Sequence, residues 1–206
     1  GVMGYYDGLG LTSTRASTFE LAQKTESPVI LVVNARGAAL SVLAAIQGFL
    51  QFRPESGIQG VILNGCTAMS YGALATELER QYPVKACGYL PRLPDCALES
   101  RHLGLVTAQE VSDLKEKMQR LARAAEQTLD FDALFAIAKS APPLCFTPPE
   151  LPKPGASVRV GVARDKAFCF FYEDSLALLR KLGAELVDFS PLEDETLPEN
   201  LQGLYL

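Results

Sequence analysis

The hydrophobic positions of this chain fall into two alternating textures. Short, predominantly apolar runs are "PVILVVN" (Pro28 to Asn34), rich in β-branched residues, "GVILN" (Gly60 to Asn64), and "VKACGYLP" (Val84 to Pro91), in which Lys85 is the charged exception. Such runs predict strands covered on both faces within a parallel sheet. Between them lie longer stretches of helix formers. "GAALSVLAAIQGFLQF" (Gly37 to Phe52) is apolar nearly all round, which predicts a well-buried helix. "SYGALATELERQY" places Leu74, Leu78 and Tyr82 on one face at i, i+4, i+8. Strand–helix–strand–helix–strand at this pitch predicts right-handed βαβ crossovers and an α/β fold built on a parallel sheet. In such sheets ligands gather at the carboxyl ends of the strands, so Asn34, Asn64 and the Pro91–Arg92 turn become candidate site residues.

Further along, "TAQEVSDLKEKMQRLARAAEQTL" predicts a long amphipathic helix. Thr107 and Glu110 form its capping box, and Val111, Leu114, Met118, Leu121 and Ala125 line one face. Asp132 is the expected cap of the shorter "ALFAIAKSA". "PPLCFTPPELPKPG" then holds six prolines in fourteen residues and predicts a stiff, extended interdomain linker. After it the βα rhythm restarts with "VRVGVA" (Val158 to Ala163), the helix "YEDSLALLRKLG" ending at Gly183, the strand "AELVDF", and "GLYL" as the start of a third strand. Near the N-terminus, Ser17 and Thr18 are expected to cap a helix through "FELAQK".

Composition narrows the function classes. With 48% apolar and 21% charged residues the chain has an ordinary globular profile, and its net charge of −5 argues against non-specific nucleic-acid binding. No stretch approaches the ~20 apolar residues of a membrane-spanning helix. Five cysteines without a C-x-x-C pair, and a single histidine, give no zinc pattern; they read as reduced, mostly buried thiols of a cytoplasmic protein.

The opening "GVMGYYDG" has the composition of a ligand loop. Glycines at 1, 4 and 8 allow close backbone approach, and Tyr5, Tyr6 and Asp7 offer polar and stacking contacts; an ordinary turn is the alternative. "GLGLTSTRAST" after it imitates a phosphate loop but lacks the preceding strand and the Lys-Ser/Thr ending.

Several motifs occur in an order that resembles one family. "ARDKAF" (Ala163–Phe168), "FYED" (Phe171–Asp174), "LGAELV" (Leu182–Val187) and "FSPL" (Phe189–Leu192) resemble the opening of the glutaminase domain of the cobyrinic acid a,c-diamide synthase family. Upstream, "GVMGYYDG", "GVILN" and "RHLGLV" (Arg101–Val106) are similar to that family's signature loop, adenine-side strand and a further motif. The resemblance implies an internal stretch of a two-domain ligase of cobalamin synthesis. Residues 1–141 would be the C-terminal part of an ATP-dependent synthetase domain of P-loop, dethiobiotin-synthetase-like type. Residues 142–156 would be the linker, and 157–206 the first βαβ of a class I glutamine amidotransferase domain.

The implied chemistry amidates the a and c carboxylates of a corrin through acyl phosphates, using ATP, Mg²⁺ and ammonia released from glutamine. The implied partners are the corrin substrate and glutamine, with a homodimer as a candidate assembly. Similar motifs occur in hydrogenobyrinic acid and Ni-sirohydrochlorin a,c-diamide synthases. A non-catalytic P-loop-like sensor or binding module is the reading from another class. By the same resemblance, Asn64, Pro91 and Arg92 are expected at the nucleotide base, with a turn-forming Asn before Gly65 as the other account of Asn64. Gly4, Tyr5, Asp7, Arg15 and Ser17 are expected near the substrate. The Mg²⁺ ligand is expected directly before Gly1, the P-loop upstream of it, and the glutaminase cysteine and histidine beyond Leu206, which makes this stretch alone inactive. Asn34 stands where relatives carry aspartate, and Gly65 where they carry arginine. Arg101 and His102 are expected to be structural, whereas Arg164 and Asp165 suit either glutamine or partner-domain contact, or an internal ion pair.

Overall fold

A computed structural model describes residues 4–97 and 113–206. These form two compact units, one of residues 4–97 and 115–145 and one consisting mainly of residues 146–206. Both are α/β with wholly parallel sheets.

In the first unit, α1 (Thr18–Lys24) precedes β1 (Val29–Asn34), α2 (Ser41–Gln51), β2 (Ile58–Asn64), α3 (Ala68–Gln81) and β3 (Lys85–Leu90). The strands lie in the order β1-β2-β3. Neighbouring strand residues point to opposite faces, and β2 uses both. Val61 and Leu63 join the cluster of Val42, Leu43, Ile46, Leu74 and Leu78 from α2 and α3. Gly60 faces the other way, where the Ile137 side chain of α5 (Phe131–Lys139) occupies the room that a Cβ would take. Helices thus cover both faces of β2, as its unbroken apolar run requires.

Two expectations need correction. The first concerns α2, which is not buried all round: Val42, Leu43 and Ile46 are buried, while Leu40 and Phe52 at its ends are 64% and 58% exposed. Three β-strands and their partner helices offer it one side only, and its apolar residues outnumber the positions that this side can cover. The second concerns the cap of α5, which is Asp130 rather than Asp132. The backbone N–H of Asp130 donates to the Cys87 carbonyl at 3.0 Å, fixing where the helix starts, and its carboxylate accepts from Ala133 N at 2.9 Å. Helix α4 (Leu114–Thr128) is amphipathic as expected, but Met118 on its apolar face is 54% exposed. Thr107, Glu110 and Val111 lie outside the described residues.

Residues 142–155 form no helix or strand and are exposed throughout. In the second unit β4 (Val158–Ala163) runs between β5 (Ala184–Phe189) and β6 (Gly203–Tyr205), with α6 (Glu173–Lys181) packed on β5.

Candidate functional site at the strand ends and the N-terminal loop

The first sheet brings three of the expected residues to one edge. Asn34 and Asn64 are paired in register at the carboxyl ends of β1 and β2, and Leu90 is paired with Asn64, so the chain leaves the sheet beside them through Pro91 and Arg92. Backbone bonds fix this edge: Ala35 N donates to the Asn64 carbonyl at 2.7 Å, and Gly65 N donates to the Leu90 carbonyl at 2.8 Å. Gly65 has φ +82°, a left-handed conformation that disfavours any side chain and accounts for glycine where an arginine was expected. The Asn64 amide is exposed and makes no hydrogen bond among the described residues, leaving a donor and an acceptor for a ligand. Asn34 is committed locally, its Oδ1 accepting from Arg36 N at 3.1 Å, so a carboxylate is not needed to close this turn. Arg92 is exposed and Pro91 half-buried.

The N-terminal loop divides the residues expected near a substrate. Tyr5 is buried; its hydroxyl donates to the Ser56 carbonyl at 2.5 Å, and burial, followed by the neighbouring Tyr6, pushes its pKa up to about 12. Ser17 is also buried and caps α1 by accepting from Glu20 N at 3.1 Å. Both polar groups act within the fold. Asp7 and Arg15 are exposed, with Asp7 N donating to the Gly4 carbonyl and the Asp7 carboxylate folded back over Gly4. Leu9 N donates to the Arg15 carbonyl at 2.8 Å, closing residues 9–15 into a loop. Against this loop lies a cavity of about 390 Å³ lined by Tyr6, Asp7, Thr12, Ser13, Thr14 and Arg53 among others. Nothing local joins Arg53 to that hydroxyl run, since 38 residues separate it from Thr14 along the chain. Tyr6, a member of the same loop, packs its ring between Phe19, Phe49 and Phe52.

In the second unit, Asp165 and Arg164 both bond within the fold. Asp165 Oδ1 accepts from Ala167 N and Phe168 N at 2.8 and 3.0 Å, and Oδ2 accepts from Ser190 Oγ and Leu192 N, both at 3.1 Å. One carboxylate therefore ties the loop after β4 to the loop after β5. Burial alone would raise its pKa, but these four bonds outweigh that and hold it below the ordinary value of 3.8. A depressed carboxyl pKa contributes stability above the unfolded value and loses it as pH falls through the folded one. Acid titration below pH 3.8 should thus loosen these loops, and Asp165→Asn should flatten that part of the stability profile. Chemical denaturation across this range checks it; an unchanged profile would contradict the tie. Arg164 pairs with Asp188 at 3.2 Å and Glu173 at 3.9 Å, and lies over the Phe171 ring at 4.8 Å.

All five cysteines are free thiols, but fewer are buried than expected: Cys66 and Cys87 are, Cys96 and Cys169 are half-buried, and Cys145 is exposed. Burial pushes the Cys66 and Cys87 thiols up, the opposite of what an activated nucleophile requires. Arg101 and His102 lie outside the described residues. Among the described residues no group of three or more His, Cys, Asp or Glu is placed to hold a metal ion, and no helix is long and apolar enough to cross a membrane.

Comparison with known proteins gives a consistent set of relatives. The chain is 41% identical over 201 residues to a cobyrinate a,c-diamide synthase of Listeria monocytogenes serotype 4b, covering 97% of this chain and 44% of that protein. It is 38% identical over 208 residues to one of Priestia megaterium, covering 100% of this chain and 45% of the relative. For one of Dehalococcoides mccartyi the identity is 39% over 212 residues, covering 100% and 46%. The chain thus spans a little under half the length of these curated relatives. No family model and no solved structure matches it. By sequence, over essentially its whole length, the chain belongs to the cobyrinate a,c-diamide synthase family.

Proposed function

We propose that this chain works as part of an ATP- and glutamine-dependent amidoligase that converts the a and c side-chain carboxylates of cobyrinic acid to amides. The observation that carries the reading is 38–41% identity along 97–100% of the chain to proteins named for that reaction. The residues at the strand ends support it. The exposed Asn64 amide, beside Pro91 and Arg92 at the carboxyl edge of a parallel sheet, suits the edge of an adenine base. On this reading residues 1–141 belong to a P-loop, dethiobiotin-synthetase-like domain. The β4-α6-β5 unit with β6 then opens a class I glutamine amidotransferase domain, joined through residues 142–156.

The chemistry answers a specific obstacle. An anionic carboxylate resists attack by ammonia. Transfer of the γ-phosphoryl of ATP to a carboxylate oxygen, with ADP leaving, makes an acyl phosphate. Ammonia from glutamine hydrolysis then attacks the acyl carbon, the C–O bond to phosphate breaks, and the amide remains. Mg²⁺, where bound, supplies charge neutralisation at the phosphates. The donor groups of the described residues do not make a set for it, so no step is assigned to a metal held by this chain.

Two outcomes test the assignment. In the full protein, Asn64→Leu should raise the KM for ATP about tenfold, the effect of losing roughly 1–1.5 kcal/mol of base hydrogen bonding, and leave glutamine hydrolysis unchanged. An unchanged KM would remove Asn64 from the nucleotide site. The isolated 206-residue polypeptide should release no ammonia from glutamine, and release would contradict the placement of the glutaminase nucleophile outside it.

A further inference from the structure

The face of α2 that the fold leaves open is not an isolated apolar patch. Tyr6, Ala45, Gly48, Phe49 and Phe52 line a concavity of about 290 Å³ that is almost wholly apolar. Tyr6 and Phe52 also line the neighbouring cavity of about 390 Å³, whose remaining walls include Thr12, Ser13, Thr14 and Arg53. The two are halves of one groove, apolar along the helix and hydroxyl- and guanidinium-bearing along the loop. Its aromatic part is preformed. The Tyr6 hydroxyl donates to the Phe49 carbonyl at 2.5 Å, the Tyr6 and Phe49 rings stack at 14° between planes, and Phe52 lies 5.2 Å from Tyr6 between centroids. Tyr6 therefore offers the groove its ring and keeps its hydroxyl within the fold. Arg53 sits over the Phe52 ring at 4.4 Å, which holds its guanidinium at the boundary between the two halves.

We propose that this groove seats one edge of a rigid, apolar macrocycle fringed with carboxylates. The ring edge would lie on Tyr6, Phe49 and Phe52, and its carboxylates would meet Arg53 and the hydroxyls of residues 12–14. The choice of occupant follows from the pairing of the two halves. An aromatic floor suits a flat conjugated body, and the cationic, hydroxyl-rich wall suits anions at its margin. Among the residues lining the groove Arg53 is the cation and Asp7 the acidic residue. The inference rests on the reading of the chain as part of a corrin amidoligase and names residues for substrate binding beyond the Gly4–Ser17 set.

The test titrates cobyrinic acid into the full-length protein, followed by its visible absorption, for the wild type, Phe52→Leu, Phe52→Asp and Arg53→Glu. Phe52→Asp and Arg53→Glu should each weaken binding about tenfold or more, and Phe52→Leu by only about threefold. Phe52 is exposed, so its variants should unfold at the wild-type temperature; Arg53→Glu tests the polar half independently. Unchanged affinity in both charged variants, while the wild type binds, would overturn the groove and leave the proposed function standing. A wild type that does not bind the corrin would overturn both. Conversion of a dimer to a monomer by Phe52→Asp, with corrin affinity intact, would assign this face to a second copy and overturn the inference.

Discussion

Replacing Gly88 by alanine should lower the stability of the first unit by roughly 2–5 kcal/mol, from about 1–2 kcal/mol of backbone strain and 1–3 of overpacking. Gly88 lies within β3 at φ +109°, a conformation that side-chain-bearing residues rarely adopt. The turn between α4 and α5 presses directly on it. Gly88 bridges Leu129, and a Cβ would fall 2.6 Å from the Leu129 Cα and against the Thr128 carbonyl. Both obstacles are backbone, so no rotamer change can relieve them. The same contact places Asp130 against the Cys87 carbonyl, and through it the start of α5. Gly72, on α3 with no atom within 4 Å of its missing Cβ, is the control: Gly72→Ala should stabilise by about 0.5–1 kcal/mol. Urea unfolding reads both, and Gly88→Ala within 0.5 kcal/mol of wild type, about the scatter of a neutral surface change, would refute the contact.

Leu176→Ala should cost the second unit about 2–5 kcal/mol. Among the described residues its buried hydrophobics are Val162, Ala163, Leu176 and Phe189, and Leu176, at 0% exposure, is the one that α6 supplies. A unit of about 60 residues buries a smaller share of its surface than a larger domain, so one such side chain is a large fraction of what holds it. Amide exchange in β4 to β6 should accelerate accordingly. Protection of β4 at the wild-type level would mean that the core lies elsewhere.

How much of this was legible beforehand depends on the range of the forces involved. Strands announced themselves because burial on both faces demands an unbroken apolar run, and "GVILN" could be little else. Ser17 was legible as a cap because its partner, Glu20 N, lies three residues on. The cap of α5 was not, since Asp130 and Asp132 are locally equivalent and the deciding bond comes from Cys87 in β3. The one-sidedness of α2 was hidden for a related reason: apolar content predicts what wants cover and is silent on how many neighbours are there to give it. At the candidate site, the carboxyl-edge rule placed Asn34 and Asn64 at the strand ends, and Arg92 just past one, without tertiary information. It could not foresee that Tyr5 would spend its hydroxyl on Ser56, 51 residues away, or that Asp165 would bind Ser190 and Leu192.

Amidation by the full-length protein tests the central claim most directly. Incubated with cobyrinic acid, ATP and glutamine, it should yield first a monoamide and then the a,c-diamide, with ADP and phosphate formed in step with each amide, as an acyl-phosphate route requires. Amide formation without ATP consumption would contradict that route. No amidated corrin from a folded protein that binds both ATP and cobyrinic acid would contradict the assignment of this chain to a corrin amidoligase.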